Sequence, residues 1–457
     1  MNSTLLYDSA DTICAISTPP GSGGIAVIRI SGKDAIAIAD KIWKGRLLSA
    51  AATHTAHLGE IVDPDTGQII DQSVATVFRG PGTFTGEDVV EVSVHGSRWI
   101  QKQLIAILCR QGCRGALPGE FTRRAYASGK LDLAQAEAVA DVIASSSQAA
   151  HRLAMSQLRG QYSHRLSQMR QQLVDLTSLL ELELDFSEED VEFASRDHLL
   201  QLATSLKNEL GSLADTFDTG AAIKDGIPVA IIGPTNAGKS SLLNALLGDE
   251  RAIVSDIHGT TRDIVEDTLE IGPYLIRFRD TAGLRHTSDT IEQLGIERSH
   301  QAARTAQIII YVVDPTQPET NDIPDDIPSE RIIYAINKTD TGAQEALTYP
   351  SESTVRISAR TGEGIDNLKD IIQRRIAALT PSDTENTLIV TNARHAQAMR
   401  AAATSAAAVI DGLRSSLPPD LIAQDLREAI RHLASVTGEI TTPELLQNIF
   451  ANFCIGK

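Results

Sequence analysis

The feature that most constrains this chain is a glycine-rich loop, Gly233-Pro-Thr-Asn-Ala-Gly-Lys-Ser240, set between two apolar runs. It follows Pro228-Val-Ala-Ile-Ile232 and precedes Ser241-Leu-Leu-Asn-Ala-Leu-Leu247. The pattern G-x-x-x-x-G-K-[ST] at a strand-to-helix junction predicts a phosphate-binding loop, whose backbone N–H groups surround a polyphosphate. We expect Lys239 to reach the β and γ oxygens and the Ser240 hydroxyl to ligate Mg²⁺.

The loop lies in a stretch where β-rich runs alternate with helical runs, from Ile227 to about Leu379. The β-rich runs cover residues 228–232, 307–313, 331–336 and 354–358. This alternation predicts a doubly wound, mostly parallel sheet.

The rest of the chain has a different texture on each side of that stretch. Short β-rich runs at 25–30, 73–78 and 89–94, with a helix near 97–110, predict an α+β domain at the N-terminus. Helical spacing begins at about Leu131 and returns after Asn392. Since the termini of a compact domain often lie close together, an α/β domain can be inserted into a helical one. We predict an α+β domain at 1–130, an inserted α/β domain at 223–380, and one helical domain made from 131–222 and 381–457.

Two further motifs predict that the nucleotide carries guanine. Asn337-Lys-Thr-Asp340 follows the β-rich run 331–336. The Asp340 carboxylate can accept two parallel hydrogen bonds from the ring N–H and the amine of guanine, and adenine offers no such donor pair. Ser358-Ala-Arg360 follows the next run and would close the base pocket.

Between these motifs lie the residues expected at the γ-phosphate and Mg²⁺. Asp280-Thr-Ala-Gly283 follows Tyr274-Leu-Ile-Arg-Phe278, and Gly259-Thr-Thr-Arg-Asp263 precedes both. We choose Thr261 as the switch threonine that completes the Mg²⁺ shell. The residue after Asp280-Thr-Ala-Gly283 is Leu284. Small signalling GTPases carry at this position the glutamine that orients the attacking water. The catalytic group must therefore come from elsewhere.

Composition limits the remaining function classes. The chain has 457 residues and a formal net charge of -18, which argues against a protein that coats nucleic acid through a global positive field. Four cysteines are too few for a disulfide framework. The first residues lack a signal-peptide pattern, and no apolar run approaches the roughly 20 residues of a membrane span. We expect a cytoplasmic protein without a membrane segment.

Motifs along the whole chain carry a family resemblance. In and around the nucleotide site they are Asn236, Gly259-Thr-Thr-Arg-Asp263 and Asp280-Thr-Ala-Gly-Leu-Arg285. Outside it they are Thr18-Pro-Pro-Gly21, Phe84-Thr-Gly-Glu-Asp88, Pro118-Gly-Glu-Phe121, Lys130-Leu-Asp-Leu-Ala-Gln-Ala-Glu137 and the terminal Cys454-Ile-Gly-Lys457. Together they resemble the MnmE (TrmE) family of tRNA modification GTPases. The ends matter most, because other GTPases share the middle.

The resemblance implies a three-domain homodimer: an N-terminal folate-binding and dimerisation domain, a discontinuous helical domain and an inserted Ras-like G domain. The family acts with a FAD-containing partner of the MnmG type, as a hetero-oligomer, on certain tRNAs. It attaches a (carboxymethyl)aminomethyl group to C5 of the wobble uridine, with a 5-formyl- or methylene-tetrahydrofolate as one-carbon donor. Its GTP hydrolysis is coupled to G-domain dimerisation, and K⁺ replaces an arginine finger.

The resemblance also assigns roles to residues. K⁺ would be held by Asn236, Ser255, Ile257 and Thr260. Glu292 would orient the attacking water, and Cys454 is a candidate in the modification chemistry. The folate would contact Arg29, Glu91, Lys130 and Lys457. With the motifs above, the predicted GTP-binding residues are Asn236, Ala237, Gly238, Lys239, Ser240, Ser241, Ser255, Thr260, Thr261, Asp280, Thr281, Ala282, Gly283, Asn337, Lys338, Asp340, Ser358, Ala359 and Arg360.

One alternative is a GTP-driven assembly factor for ribosome or RNA maturation that performs no covalent modification. It explains the nucleotide motifs equally well. It leaves the N-terminal set of Arg29, Glu91 and Lys130, and the terminal Cys454-Ile-Gly-Lys457, without a purpose. A scaffolding GTPase whose long helices polymerise is a weaker alternative, since sustained heptads are missing.

Overall fold

The computed structural model of the chain describes residues 11–185, 196–248, 267–278, 300–317, 323–324, 326–342, 349–379, 388–415, 417–451 and 453–456. The chain divides into two compact units. The first comprises Met1–Ile143, Gln157–Glu181 and Leu426–Lys457, and the second comprises Ala144–Ser156 and Leu182–Asp425.

The first unit contains a seven-stranded sheet. Its strands are β1 (Ile13–Ile16), β2 (Ile25–Ser31), β3 (Trp43–Lys44), β4 (Thr55–Val62), β5 (Ile69–Phe78), β6 (Val89–His95) and β7 (Arg114–Gly115). The spatial order is β3-β4-β5-β6-β2-β1-β7, and all neighbours are antiparallel except β1 and β7. The three strands predicted in this region are confirmed.

One face of this sheet forms the core of the N-terminal region. Helices α1 (Ala35–Ile42) and α2 (Arg98–Arg110) contribute to the same apolar cluster as the inward residues of β2 and β6, such as Ile28 and Val92. The alternate residues of these strands are only partly buried, and among them are Arg29 and Glu91. A strand with one buried face has this alternation of burial. Functional side chains can therefore stand on the opposite face.

Helices make up most of the remaining chain. They are α3 (Glu120–Ala127), α4 (Leu133–Ala144), α5 (Gln148–Leu158), α6 (Gln161–Asp185), α7 (Arg196–Asp215), α8 (Phe217–Asp225), α9 (Lys239–Leu247), α10 (Ile365–Leu379), α11 (Ala393–Arg414), α12 (Pro419–Thr437) and α13 (Pro443–Ala451). The helical spacing read from the sequence holds in α6, because Leu166, Met169, Leu173, Leu176 and Leu180 are all buried. Among the described residues, no helix combines the length and apolar character that a bilayer crossing requires.

Segments from before and after the inserted domain contact each other within both units. In the first unit, Arg170 and Arg427 form ion pairs of 2.9 and 2.5 Å with Glu439 and Glu181. In the second unit α7 packs along α11. There the Val390 N–H donates to Oγ1 of Thr216 at 2.9 Å, so the chain leaves and re-enters the helical layer at one place. This is the geometry that a domain insertion requires.

The second unit contains a six-stranded sheet formed by β8 (Ile227–Ile232), β9 (Asp267–Ile271), β10 (Tyr274–Phe278), β11 (Ile308–Val313), β12 (Ile332–Ile336) and β13 (Thr354–Arg356). The spatial order is β13-β12-β11-β8-β10-β9, and only β9 is antiparallel to its neighbour. Apolar clusters cover both faces, one of them built from α9 and α10. The predicted doubly wound, mostly parallel sheet is confirmed. The carboxyl ends of β8, β11, β12 and β13 meet at one edge, where ligands of such sheets bind.

Candidate functional site

The predicted phosphate loop joins the end of β8 to the start of α9. Gly238 caps α9 with φ 98°, and a Cβ at this position would lie 2.2 Å from Nδ2 of Asn337. Only glycine fits so close an approach. Nζ of Lys239 donates to the carbonyl oxygens of Gly233 and Pro234, at 2.7 Å each, and so closes the loop. The first N–H groups of an α-helix point out of its N-terminal end, which makes this end of α9 suited to an anion.

The side chain of Asn337 ties the phosphate loop to the base-binding loops. Its Nδ2 donates to the carbonyl oxygen of Ala237 at 2.8 Å, and its Oδ1 accepts the N–H of Ala359 at 2.9 Å. Asn337 is buried, so both bonds are protected from water. One amide group therefore fixes three loops that follow three different strands, β8, β12 and β13.

Asp340 stands ready to accept a pair of donors. Oγ of Ser358 donates to Oδ1 of Asp340 at 2.8 Å, and Nη2 of Arg360 lies 2.6 Å from Oδ2. The hydrogen bond from Ser358 is the main reason why the pKa of Asp340 lies below its ordinary value, and Arg360 adds to it. The carboxylate is therefore ionised at neutral pH, as guanine recognition requires.

Lys338 is held by an acidic residue that the sequence interpretation did not name. Nζ of Lys338 lies 2.6 Å from Oδ2 of Asp314, which directly follows β11. The sequence did carry a sign of this role, because Asp314 is an acidic residue directly after a strongly apolar strand of the same sheet. We call Asn337, Lys338, Asp340, Ser358 and Ala359 together the guanine edge.

The first unit has a second polar site, around Arg29. Strands β2 and β6 place Arg29 opposite Glu91. Nε and Nη2 of Arg29 both lie 2.8 Å from Oε1 of Glu91. The guanidinium carbon lies 5.9 Å from the ring centre of Phe84 and 5.6 Å from that of Phe121. We call these four residues the Arg29 cluster.

Lys130 and Cys454 adjoin the segments that carry the two rings. Cε of Lys130 lies 3.8 Å from the position that a Cβ of Gly86 would occupy, in the loop that carries Phe84. The Gly119 N–H donates to the carbonyl oxygen of Cys454 at 3.3 Å, two residues before Phe121. The tail continues to Gly456, whose carbonyl oxygen accepts Oγ of Ser17 at 3.2 Å. The structure thus brings four of the predicted residues, Arg29, Glu91, Lys130 and Cys454, around two neighbouring segments.

A charge network around the buried Glu120 connects the segments that carry Phe84 and Phe121. Glu120, 1% exposed, accepts Nη2 of Arg114 at 2.6 Å and Nη2 of Arg124 at 3.2 Å, and Nη1 of Arg124 also donates to Glu87 at 2.9 Å. Burial would raise the pKa of the Glu120 carboxyl, but the bonds from Arg114 and the Leu117 N–H outweigh it and lower the pKa. Sequence reasoning missed this network, whose members come from distant segments.

Several predicted residues lie outside the described part of the chain. They are Ser255, Ile257, Thr260, Thr261, Asp280, Thr281, Ala282, Gly283, Glu292 and Lys457. Of the residues expected to ligate ions, Asn236 and Ser240 are described. Asn236 adopts φ 63° in the phosphate loop, and Ser240 lies in the first turn of α9. Ser241 is exposed on the same turn.

Comparison with known proteins decides the family. A family model described as "GTP-binding protein TrmE N-terminus" matches residues 12–130. A second, described as "MnmE helical domain", matches residues 133–454. The chain belongs to the MnmE family. Its nucleotide site is that of a GTPase in tRNA modification, and the multidomain fold predicted from the resemblance is confirmed.

Individual relatives match along their whole length. The tRNA modification GTPase MnmE of Parabacteroides distasonis is 49% identical over 98% of this chain and 100% of the relative. That of Porphyromonas gingivalis is 49% identical over 98% of both chains, and that of Cytophaga hutchinsonii is 44% identical over 100% of both. A GTP-binding protein of Sulfolobus solfataricus, solved in complex with GDP, is 20% identical over 46% of this chain and 68% of that chain. The TM-score for this pair is 0.26.

Proposed function

We propose that this MnmE-family GTPase adds a (carboxymethyl)aminomethyl group to C5 of the wobble uridine of certain tRNAs, together with a flavoprotein of the MnmG type. Family membership over the full chain supports this function. The observation that carries it is the presence of two built polar sites, the guanine edge and the Arg29 cluster. An assembly factor that only changes conformation on binding and hydrolysing GTP has no use for the Arg29 cluster.

GTP binding rests on the residues of the guanine edge. Asp340 is ionised and oriented by Ser358, and Asn337 fixes the phosphate loop relative to the base loops. Adenine would place an acceptor and no donor pair against Asp340, which selects guanine. The proposed contacts to GTP are those of the motifs: Asn236 to Ser241, Thr261, Asp280 to Gly283, Asn337, Lys338, Asp340 and Ser358 to Arg360. Ser255 and Thr260 are added from the resemblance.

The donor set around the phosphate loop fits hard cations. The Ser240 hydroxyl lies in the first turn of α9, beside Lys239, and hydroxyl oxygens suit Mg²⁺. The amide oxygen of Asn236 is a suitable oxygen ligand for K⁺, which we propose to bind with Ser255, Ile257 and Thr260. Mg²⁺ and K⁺ would supply positive charge at the phosphates. Glu292 is proposed to orient the attacking water, and Thr261 to complete the Mg²⁺ shell.

The Arg29 cluster fits a tetrahydrofolate. A pterin presents adjacent N–H and amine donors to a carboxylate, and its flat ring suits the half-exposed Phe84. Oε2 of Glu91 accepts no hydrogen bond from the described residues, so an acceptor remains for such a donor. Lys130, and Lys457 by resemblance, would meet the glutamyl carboxylates. This tetrahydrofolate would supply the one-carbon unit.

Cys454 is proposed to take part in the modification and not in GTP hydrolysis. Its thiol is exposed, while its backbone is bound to Gly119 beside the Arg29 cluster. An exposed side chain on an anchored backbone can meet a substrate in a fixed place. Gly456 is part of the anchor, since a Cβ there would lie 2.3 Å from the carbonyl oxygen of Ile16.

The assembly is proposed to be a homodimer that forms a hetero-oligomer with the flavoprotein and works on tRNA in the cytoplasm. The outward face of the N-terminal sheet supports dimerisation, because Leu58 and Val74 pair across β4 and β5 and are both exposed. Dimerisation of the G domains is proposed to activate hydrolysis. The four segments 1–130, 131–222, 223–380 and 381–457 remain our proposal for the domains.

Nucleoside analysis of tRNA from a deletion strain tests the modification. We expect the modified wobble uridine to disappear and to return with the wild-type gene. Unchanged tRNA together with immature ribosomal subunits would favour the assembly factor instead.

Two measurements on the purified chain test the cofactors. GTP turnover should be faster in KCl than in NaCl at equal ionic strength, and equal rates would contradict the K⁺ site. Equilibrium dialysis with 5-formyltetrahydrofolate should show binding, and a chain that binds GTP but no folate would contradict the role of the Arg29 cluster.

A further inference from the structure

Asp314 is a buried carboxylate at the guanine edge to which no motif assigns a role. It follows β11 directly, and its side chain is 1% exposed. Oδ1 accepts the N–H of Thr316 at 3.0 Å and its hydroxyl at 2.7 Å. Oδ2 lies 2.6 Å from Nζ of Lys338. Each carboxylate oxygen is therefore engaged.

This pair fixes the end of a long and otherwise mobile side chain. Burial would raise the pKa of the Asp314 carboxyl, but the bonds from Lys338 and Thr316 outweigh burial and lower the pKa. Asp314 therefore remains charged at neutral pH and keeps the ammonium of Lys338 in place. A buried charge whose partner is removed is strongly unfavourable, so the pair resists separation.

The held lysine belongs to the loop of the guanine edge that carries Asn337 and Asp340. It stands between Asn337, which binds the phosphate loop, and the loop of Asp340, and its backbone has the left-handed φ of 61°. With its ammonium held by Asp314, the methylene stem of Lys338 must run between this loop and Asp314. Methylene stems of lysine pack against apolar and planar surfaces while the charged end stays with its partner.

We propose that Asp314 is a positioning residue for guanine-nucleotide binding, which holds Lys338 so that its stem forms one wall of the base site. Asp314 acts through Lys338 and does not touch the nucleotide. This inference rests on GTP binding by the family and is independent of the modification chemistry. It concerns the base, so the phosphate contacts should be unaffected.

The competing explanation is that Asp314 merely stabilises the turn at Thr316. A double-mutant cycle separates the two, with Asp314→Asn, Lys338→Met and both changes in the full chain. The readouts are the affinity for a fluorescent guanine nucleotide and the KM and kcat of GTP hydrolysis. Thr316→Val is the matched control, because it removes the hydroxyl bond to Asp314 and leaves Lys338 paired.

We expect Asp314→Asn to weaken GTP binding by about 10-fold or more, through KM, with kcat changed less than about twofold. In the Lys338→Met background the same change should have little further effect. Competition by inorganic tripolyphosphate, which carries no base, should be unchanged. Thr316→Val should stay within about twofold of the wild type.

Three outcomes would overturn the proposal: additive effects in the cycle, a Thr316→Val variant as weak as Asp314→Asn, or an equal loss of tripolyphosphate binding. If Asp314→Asn does not fold, Asp314→Glu replaces it, since it keeps the charge but displaces the carboxylate by one methylene. Its GTP affinity should then fall measurably below that of the wild type, and an unchanged affinity would contradict the proposal.

Discussion

The guanine edge and the Arg29 cluster hold their polar groups in different ways. At the guanine edge, side chains bind backbone atoms of neighbouring loops, as Asn337 does with Ala237 and Ala359. In the Arg29 cluster, charged groups bind each other and stand between aromatic rings, on the open face of a sheet. One site is fixed by hydrogen bonds from side chains to the backbone of loops, and the other by ion pairs and ring contacts on a sheet face.

This difference explains why the residues of one site could be predicted from sequence motifs and those of the other could not. A loop that must curl around a phosphate imposes glycines and a lysine at fixed spacing, and such spacing is visible in a sequence. A charged pair across two strands imposes no spacing, because any strand pair can carry it. The guanine edge followed from its motifs, whereas Arg29, Glu91 and Lys130 depended on the family resemblance.

The largest expected effect concerns the charge network around Glu120, the residue before Phe121 of the Arg29 cluster. Arg124→Met leaves the buried Glu120 carboxylate with one cation fewer, which should lower the free energy of unfolding by about 3–5 kcal/mol. Denaturant unfolding measures this loss. The matched change Arg360→Met, at an exposed residue that pairs with Asp340 of the guanine edge, should cost under about 0.5 kcal/mol. Equal losses would mean that burial does not distinguish the two regions.

A glycine of the phosphate loop tests the local geometry of the nucleotide site. Gly238→Ala would place a Cβ 2.2 Å from Nδ2 of Asn337 and should reduce GTP affinity at least about 100-fold, or about 2.7 kcal/mol. Binding of 5-formyltetrahydrofolate should stay unchanged. Gly211→Ala is the control, since a Cβ there meets nothing within 4 Å. Normal GTP binding by Gly238→Ala would show that the tie to Asn337 is dispensable.

A change in the Arg29 cluster should weaken folate binding and leave the nucleotide site unaffected. Arg29→Met keeps the bulk between the two rings but removes the partner of Glu91, and it should weaken folate binding by about 10-fold or more. Equilibrium dialysis measures this, with GTP turnover as the companion readout, which should not change. Arg98→Met, on the exposed start of α2, serves as the control. If both variants bind folate equally well, the folate lies elsewhere.

The smallest expected effect is a change in pH dependence at the guanine edge. The hydrogen bond from Ser358 is the main cause that lowers the pKa of Asp340. The carboxylate therefore stays ionised until the pH falls below the ordinary pKa of an aspartate side chain. Asp340 should therefore contribute no pH dependence to GTP affinity between about pH 8 and about pH 5. Ser358→Ala should bind about threefold more weakly at neutral pH, and its affinity should begin to fall at a higher pH. Titrations that run parallel would refute the role of Ser358.

Sequence reasoning reached the fold further than it reached the contacts. The alternation of β-rich and helical runs predicted the parallel sheet. Strand β9 was not predicted, because an antiparallel edge strand is not part of that strand–helix alternation. The partners of Asp314 and Phe121 were not predicted, since Lys338 and Arg29 lie 24 and 92 residues away along the chain. Such contacts depend on how strands are ordered in the sheet, and strand order is a property of the folded chain.

The central claim is that both sites serve one reaction on tRNA. The most direct test complements a deletion strain with Gly238→Ala or with Arg29→Met and measures the modified wobble uridine by nucleoside analysis. We expect neither variant to restore it, although the first still binds folate and the second still hydrolyses GTP. Full restoration by either folded variant would contradict the claim that the two sites work together.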